Sequence, residues 1–302
     1  MAVTRFLPRA LQVRTSCAAV LMAVALAPGT AQEAPLPDLP SFLREARAQA
    51  RTDSELLSQY TYIERSADIR MSLLGKVKTG PVKVYQVYPG GDRMRTYRKL
   101  IEVDGDPVPQ AEQDEQDRER QKKVREMIAR RDHESDRDRA KRLERNAKQH
   151  REEEQTLDDL FRVYDYTMVG RQTIDGHAVI AIDFAPKPNA APVTDDGRLM
   201  KKVKGRVWIS EGDYQVARVE ATMLDDISRA GFLFKLYEGT TASFERRKVN
   251  DEVWLPSEMR LNGSGRALFR KFHIETVVQY SDYRKFSVET DTKFSLPKKP
   301  GR

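Results

Sequence analysis

From Arg206 to Tyr280 the sequence is a succession of short β-type runs that end in turn residues, and this repetition restricts the fold more than any other feature. The runs are 206–210, 214–223, 231–237, 240–249, 253–261 and about 266–280. Glu211-Gly212-Asp213, Asn250-Asp251 and Asn262-Gly263 stand between them as turn signals. Strands so closely spaced leave no room for crossover helices, so neighbouring strands must run antiparallel in one continuous sheet. The same pattern occurs earlier. Residues 60–71 alternate in polarity, as do 82–88 and 93–103, with Pro89-Gly90-Gly91 and Asp104-Gly105 as turns; strands near 163–171 and 177–185 flank Asp175-Gly176. One amphipathic helix is expected over 41–57, with Ser41 as its cap and Phe42, Leu43, Ala46, Ala50, Leu56 and Leu57 on one side.

Residues 112–154 differ in kind. Of these 43 residues 28 are charged, 14 of each sign, and neither Gly nor Pro occurs from Ala111 to Val169. Acid-to-base pairs four residues apart recur, among them Asp114–Arg118, Glu119–Lys123, Glu126–Arg130, Asp138–Arg142 and Glu144–Lys148. A long solvated helix follows, up to roughly 65 Å if continuous. Because the charges cancel, the segment does not suit nucleic acid, whose binding depends on a surplus of cations.

The first 31 residues carry Arg5, Arg9 and Arg14, an uncharged run from Cys17 to Ala27, and small residues up to Ala31. This is the layout of a secretory signal peptide cut near Ala31, and the run is shorter than the ~20 residues of a membrane span. The expected product is a soluble periplasmic chain, residues 32–302, forming one domain with a charged helical insertion at 109–155. Loss of the three arginines lowers the formal net charge from +7 to +4, a small surplus compatible with peripheral contact with an anionic membrane. Cys17 is the only cysteine and precedes the apolar run, so it does not serve as a lipid anchor. The remaining chain has no thiol for a disulfide, a metal or catalysis.

The sequence contains no catalytic constellation. His133, His150, His177 and His273 lack ligand spacing, Gly263-Ser264-Gly265 lies in an expected hairpin turn, and Asp225-Asp226 reads as an interstrand loop. Phosphate and dinucleotide fingerprints are absent, so neither a cofactor nor a metal is expected. What remains is apolar: Tyr60, Tyr62, Tyr88 and Leu255 for packing, and Val84, Trp208, Val219, Phe232, Phe234, Leu236, Phe244, Trp254 and Phe269 as the expected lining of a cavity. A large curved sheet closed by few helices need not be filled by its own side chains, and the helix at 41–57 would then act as plug or lid. Arg218 and Arg246 are the candidate headgroup partners.

The Tyr60-x-Tyr62-x-Glu64 strand, the segment RVWIS-EGDYQVARVEA (206–221) and Val253–Pro256 resemble the outer-membrane lipoprotein-sorting superfamily over residues 41–105 and 157–290. The resemblance implies an α+β fold: an unclosed β-barrel with helices on its concave side, here with a long charged helical insertion. It also implies a non-enzymatic periplasmic protein whose partner is a lipid or the acyl chain of a lipoprotein. The alternative is an envelope sensor or scaffold that binds a protein partner through the sheet and the charged helix.

Overall fold

A computed structural model describes residues 35–50, 56–71, 76–88, 96–229 and 233–285. The expected signal peptide, Pro89-Gly90-Gly91 and Phe232 fall outside these residues. Every element below belongs to the unit Leu36–Arg302.

Among the described residues thirteen strands form one antiparallel sheet: β1 (Tyr60–Met71), β2 (Val77–Tyr88), β3 (Tyr97–Val103), β4 (Asp106–Pro107), β5 (Tyr164–Ile174), β6 (His177–Pro186), β7 (Val203–Ser210), β8 (Val216–Met223), β9 (Ile227–Arg229), β10 (Phe234–Leu236), β11 (Thr241–Val249), β12 (Val253–Ala267) and β13 (Arg270–Lys285). Their order is β4-β3-β2-β1-β13-β12-β11-β8-β7-β6-β5, with β10 paired to β12 and β9 to β10. The last long strand thus lies beside the first, and the sheet ends in two edges instead of closing into a barrel. Asp104-Gly105, Asp175-Gly176 and Asn250-Asp251 all take the positive φ angles of tight hairpin turns, as their residue types predict.

Asn262-Gly263 does not turn. β12 runs straight through it, and the hairpin closes instead at Leu268-Phe269, where Leu268 has φ 53°. These glycines serve close approach. A Cβ on Gly263 would lie 2.6 Å from the Thr240 side chain, and one on Gly265 would lie 2.3 Å from the Lys235 carbonyl and 2.6 Å from the Phe272 ring. Removing the side chain lets β10 and Phe272 lie against the strand, which outweighs the local turn preference of Asn-Gly.

Among the described residues the sheet is accompanied by α1 (Leu39–Ala48), α2 (Gln110–Asp132), α3 (Asp136–Val163) and α4 (Asp195–Met200). The first is shorter than expected. Its cap is Asp38, whose carboxylate accepts from the Ser41 N–H at 3.0 Å, and Leu56 and Leu57 are helical but separate from it, beside Tyr60 and Leu255. Phe42, Leu39, Leu43 and Ala46 of α1 pack on Ile180, Ile182 and Ile209 of the sheet.

The charged segment is two helices, not one. It breaks at 133–135, where the Ser135 hydroxyl accepts from the Asp138 N–H and Arg142 turns back onto Glu134 at 2.7 Å. Ser135 followed by Asp136 and Asp138 is a helix start in its own right, since a capping hydroxyl and acidic residues both favour the N-terminal end. Among the expected pairs, Glu119–Lys123 and Glu126–Arg130 are present at 3.7 and 3.8 Å. At the β3 edge the Gln116 carboxamide pairs with both backbone groups of Leu100, donating to its C=O at 3.1 Å and accepting from its N–H at 2.8 Å. Asp117 accepts from Tyr97 and Lys99. Helix α2 so occupies hydrogen-bonding groups that would otherwise recruit another strand.

The chain leaves this edge at β4 and re-enters the sheet at the opposite edge, β5, with α2 and α3 as the connection. The far end is anchored by Asp159, which is fully buried. Its carboxylate accepts from the Val193 N–H, the Thr194 N–H and the Thr194 hydroxyl at 2.7–3.1 Å and pairs with Arg162 at 2.7 Å. Burial opposes ionisation, but these donors outweigh it and hold the carboxyl below its ordinary range. A Cβ on Gly197 would fall 2.2 Å from Asp159 Oδ2, so that position admits only glycine. Asp159→Ala should therefore lower unfolding free energy by about 2–3 kcal/mol, through the stranded donors. Because the folded carboxyl titrates below its unfolded value, the contribution is fully present above about pH 4. It is lost as the pH falls through the lowered folded value. Urea melts of both proteins should accordingly differ by a constant amount from pH 7 to about pH 4 and draw together only as the pH falls further.

Candidate functional site

Residues directly opposite one another in an antiparallel ladder share a face, and adjacent residues on one strand take opposite faces. The register therefore defines two neighbouring rungs. One runs Met168, Ile182, Val207, Val219, Phe244, Met259, Val278 across seven consecutive strands, then continues to Ser66 and Lys83. The other runs Ala181, Trp208, Arg218, Glu245, Glu258, Gln279, Arg65, Val84. The first is apolar until it reaches β1. The second is largely charged.

Helix α1 covers only the beginning of the apolar rung, packing over Met168, Ile182 and Val207. Beyond it Val219, Phe244 and Val278 remain half-buried, and Met259 is 38% exposed. Alongside lies a rung of smaller residues, Gly205, Ala221 and Ala242, leading to Leu261. The Phe184 ring lies over Gly205, where a Cβ would meet it at 2.7 Å. Valine, phenylalanine and methionine standing beside two alanines make a trough with an apolar wall. At ~4.8 Å between strands it extends ~19 Å from Val219 to Ser66.

The polar end of the trough is built by the Tyr-x-Tyr-x-Glu strand. Tyr60 meets the Tyr283 ring edge-on, Tyr62 lies tilted against it, and Tyr62 also meets Tyr280. Glu64, two residues on, pairs with Arg98, whose guanidinium lies 4.1 Å above the Tyr85 ring. Burial pushes the Glu64 carboxyl up, against the opposing influence of Arg98 and Ser66.

The expected cavity-lining residues do not converge on one cavity. Val219 and Phe244 lie in the trough, and Phe234 and Leu236 pack with Ala267, Phe272, Ile274 and Leu261 on the same face. Trp208 and Trp254 lie on the opposite face, in a core with Val179, Ala181 and Ala217, and Val84 belongs to that face as well. Phe269 stands at the tip of the β12–β13 hairpin, 84% exposed. The separation has one source: apolar character does not reveal the face, whereas register does. Met259, Val278, Ser66 and Lys83 join the trough through register alone, each being unremarkable within its own strand.

The opposite face is chemically distinct. Arg206 pairs with Asp183 and Arg218 with Glu245 at 2.7 Å, with both guanidinium groups flanking Trp208. Arg218 therefore does not face the apolar trough, whereas the Arg246 guanidinium lies 5.2 Å from the centre of the Phe244 ring and donates to the Val216 carbonyl at 3.2 Å. A cleft of about 610 Å³ opens on this side among Asp183, Arg206, Trp208, Glu220, Arg260 and Glu275. Its charged walls would leave an acyl chain facing groups that need water or ions. Among the described residues no cluster of three or more His, Cys, Asp or Glu side chains is arranged to hold a metal. No helix among them is long and apolar enough to cross a membrane.

No family model and no curated protein matches the chain in sequence. Among solved structures it is similar to a LolA superfamily protein from Nitrosomonas europaea, at 8% identity and TM-score 0.28, over 85% of this chain and 97% of the other. A putative outer membrane lipoprotein-sorting protein domain from Vibrio parahaemolyticus matches at 11% identity and TM-score 0.31, over 84% and 96%. MucB, in complex with MucA, matches at 8% identity and TM-score 0.21, over 83% and 100%.

The division into a packed face and a trough can be measured. Trp254→Ala, in a fully buried position, should cost about 3–5 kcal/mol in denaturant unfolding. Phe244→Ala should cost about 1 kcal/mol, because its ring is only partly removed from water. Equal costs would mean that Phe244 is core and that the trough is filled.

Proposed function

We propose that this protein is an exported, non-enzymatic carrier or receptor that holds the acyl chain of a lipid or lipoprotein in the trough beside α1. The observation that carries this reading is the seven-strand apolar rung, of which α1 covers only the first three residues. Apolar surface on one face of a sheet is normally buried against another layer. Here Val219, Phe244, Met259 and Val278 retain access to solvent, in a line long enough for an extended acyl chain.

The binding force is desolvation. Each methylene withdrawn from water contributes about 0.8 kcal/mol, so a long chain is held without any fixed polar contact along its length. Helix α1 is suited to the role of a movable wall. Its contact with the sheet rests on Phe42 and three smaller side chains, and its outer side is tied to α3 by the Arg47–Asp158 ion pair, both members of which are nearly half exposed. An exposed pair of this kind contributes little, so displacing α1 is inexpensive. The expected signal sequence places the protein in the periplasm, where a carrier of acyl chains between membranes would act.

Native mass spectrometry of the protein purified from the cell envelope should reveal co-purified acyl species. Phe244→Asp combined with Met259→Asp should abolish them while leaving the circular dichroism spectrum unchanged. Protein that is consistently empty, or lipid retained by the double variant, would argue against the trough as the site.

A second reading has its own support in the helical connection, where Ile128 and Leu143 are 41% and 52% exposed amid charged residues. Such a surface suits a protein partner, as in a sensor or scaffold. Replacing residues 112–154 by a short linker should leave acyl binding intact if the trough is the site. Loss of partner capture alone would assign the helices to that second role.

A further inference from the structure

The end of the β12–β13 hairpin carries chemistry that the fold does not use. β11 makes its last pair with β12 at Asn262, and from Gly263 to Ala267 the strand runs on for ~17 Å with β10 alone on that side. Its turn is Leu268-Phe269, with Leu268 at φ 53°, where Gly, Asn or Asp is the ordinary choice. The Phe269 ring is 84% exposed. Leu233, whose carbonyl accepts from the Leu268 N–H at 2.6 Å, is 41% exposed beside it. A single apolar residue on a surface needs no explanation, but here Leu233, Leu268 and Phe269 stand together at one projecting end. Behind them Phe234 stacks on Phe272 at 5.5 Å between ring centres and packs with Ala267, so the end is braced.

The same end is cationic. Lys235, Arg266 and Lys271 stand directly opposite one another on β10, β12 and β13, and like charges so placed oppose pairing. Asp226 pairs with Lys235, whereas among the described residues Arg266, Arg270 and Lys271 have no acidic partner within ion-pair distance. From Met259 to Ile274 the sequence contains neither Asp nor Glu. We infer that this end is a membrane-contact site: Phe269 enters the interfacial layer of an anionic lipid bilayer, and Arg266, Arg270 and Lys271 meet the phosphates around it. An aromatic ring suits the boundary between headgroups and acyl chains, and the long basic side chains keep their charge at headgroup level. Burial of the ring and attraction of each cation to the surface act together. The placement of the charges favours a lipid surface over a protein pocket. Arg266 and Lys271 lie on one face of the ladder and Arg270 on the other, and a headgroup layer surrounds the tip and meets both faces at once. Met259 of the trough lies on the same strand, so contact at the tip brings the trough to the bilayer, but none of the residues at the tip belongs to the trough itself.

Protein purified from the cell envelope is to be sedimented with vesicles of phosphatidylcholine alone and of phosphatidylcholine with about a quarter phosphatidylglycerol. Binding to the anionic vesicles should exceed binding to the neutral ones. It should fall about tenfold in Phe269→Ser and about thirtyfold in Arg266→Gln combined with Lys271→Gln. Added salt should weaken the unchanged protein toward the level of that double variant. In Phe269→Trp the indole emission should shift to the blue with anionic vesicles only, which adsorption without insertion does not produce. These substitutions lie outside the packed clusters, so the urea unfolding midpoints should match that of the unchanged protein. Equal binding to both kinds of vesicle, or anionic binding untouched by the substitutions, would overturn the inference. Absence of vesicle binding would overturn it as well. Loss of self-association or of a bound protein in Phe269→Ser would then assign the tip to that contact instead. Co-purified acyl species are read separately by native mass spectrometry, so failure at the tip and failure of the carrier reading are distinguishable.

Discussion

Cross-strand register is the constraint on which the rest of this structure depends. Once β13 pairs with β1, and β12, β11, β8, β7 and β6 follow in order, every residue's face is determined along a continuous path across the sheet. A shift of one residue in any ladder would exchange the rung containing Val219, Phe244 and Met259 with the rung containing Arg218, Glu245 and Glu258. Apolar side chains would then stand among ion pairs and charges among apolar ones, at a cost of many kcal/mol over the sheet. The register is kept in spite of several bulges, such as those between Trp208 and Ile209 and between Glu245 and Arg246. These add twist without exchanging the two faces on either side of them.

The open edges follow from the same topology. A barrel would pair β4 or β3 with β5, but the chain travels from one of these edges to the other through α2 and α3. The helices are secured at each end by polar contacts: the Gln116 carboxamide on Leu100 at the start, and the Asp159 carboxylate under Thr194 at the finish. Both are side chains acting in place of backbone partners. One occupies an exposed strand edge, and the other caps the loop before α4. The charged stretch between them has few apolar residues to bury, so these end contacts hold the connection to the sheet.

The unequal chemistry of the two faces accounts for the functional reading. On one face, Trp208 is buried beneath two guanidinium groups whose charges are met by Asp183, Glu220 and Glu245, and such walls do not suit an apolar ligand. On the other, a helix of ten residues shields part of a seven-strand apolar surface. The tyrosines of β1 close that surface at its far end, and Ser66, Lys83, Arg98 and Glu64 give it a polar terminus.

Much of this was legible in the sequence because hairpin formation is local. Alternation and the Asp-Gly and Asn-Asp turns identify most strands and their antiparallel sense, since each turn needs only its own two residues at positive φ. The charge density of 112–154 predicts helix, and the Ser135 cap divides that helix in two. Other features depend on residues distant in sequence. Asn262-Gly263 remains in β12 because Thr240 lies against it, and Asp159 is ionised though buried because Val193 and Thr194 donate to it. The expected lining was separated into two faces for the same reason: Trp208 and Val219 are equally apolar, and only pairing between β7 and β8 places them apart. Local patterning thus determined the elements. Tertiary pairing decided which apolar residues became core and which were left facing an open trough, because a side chain's face is a property of the ladder and not of the residue.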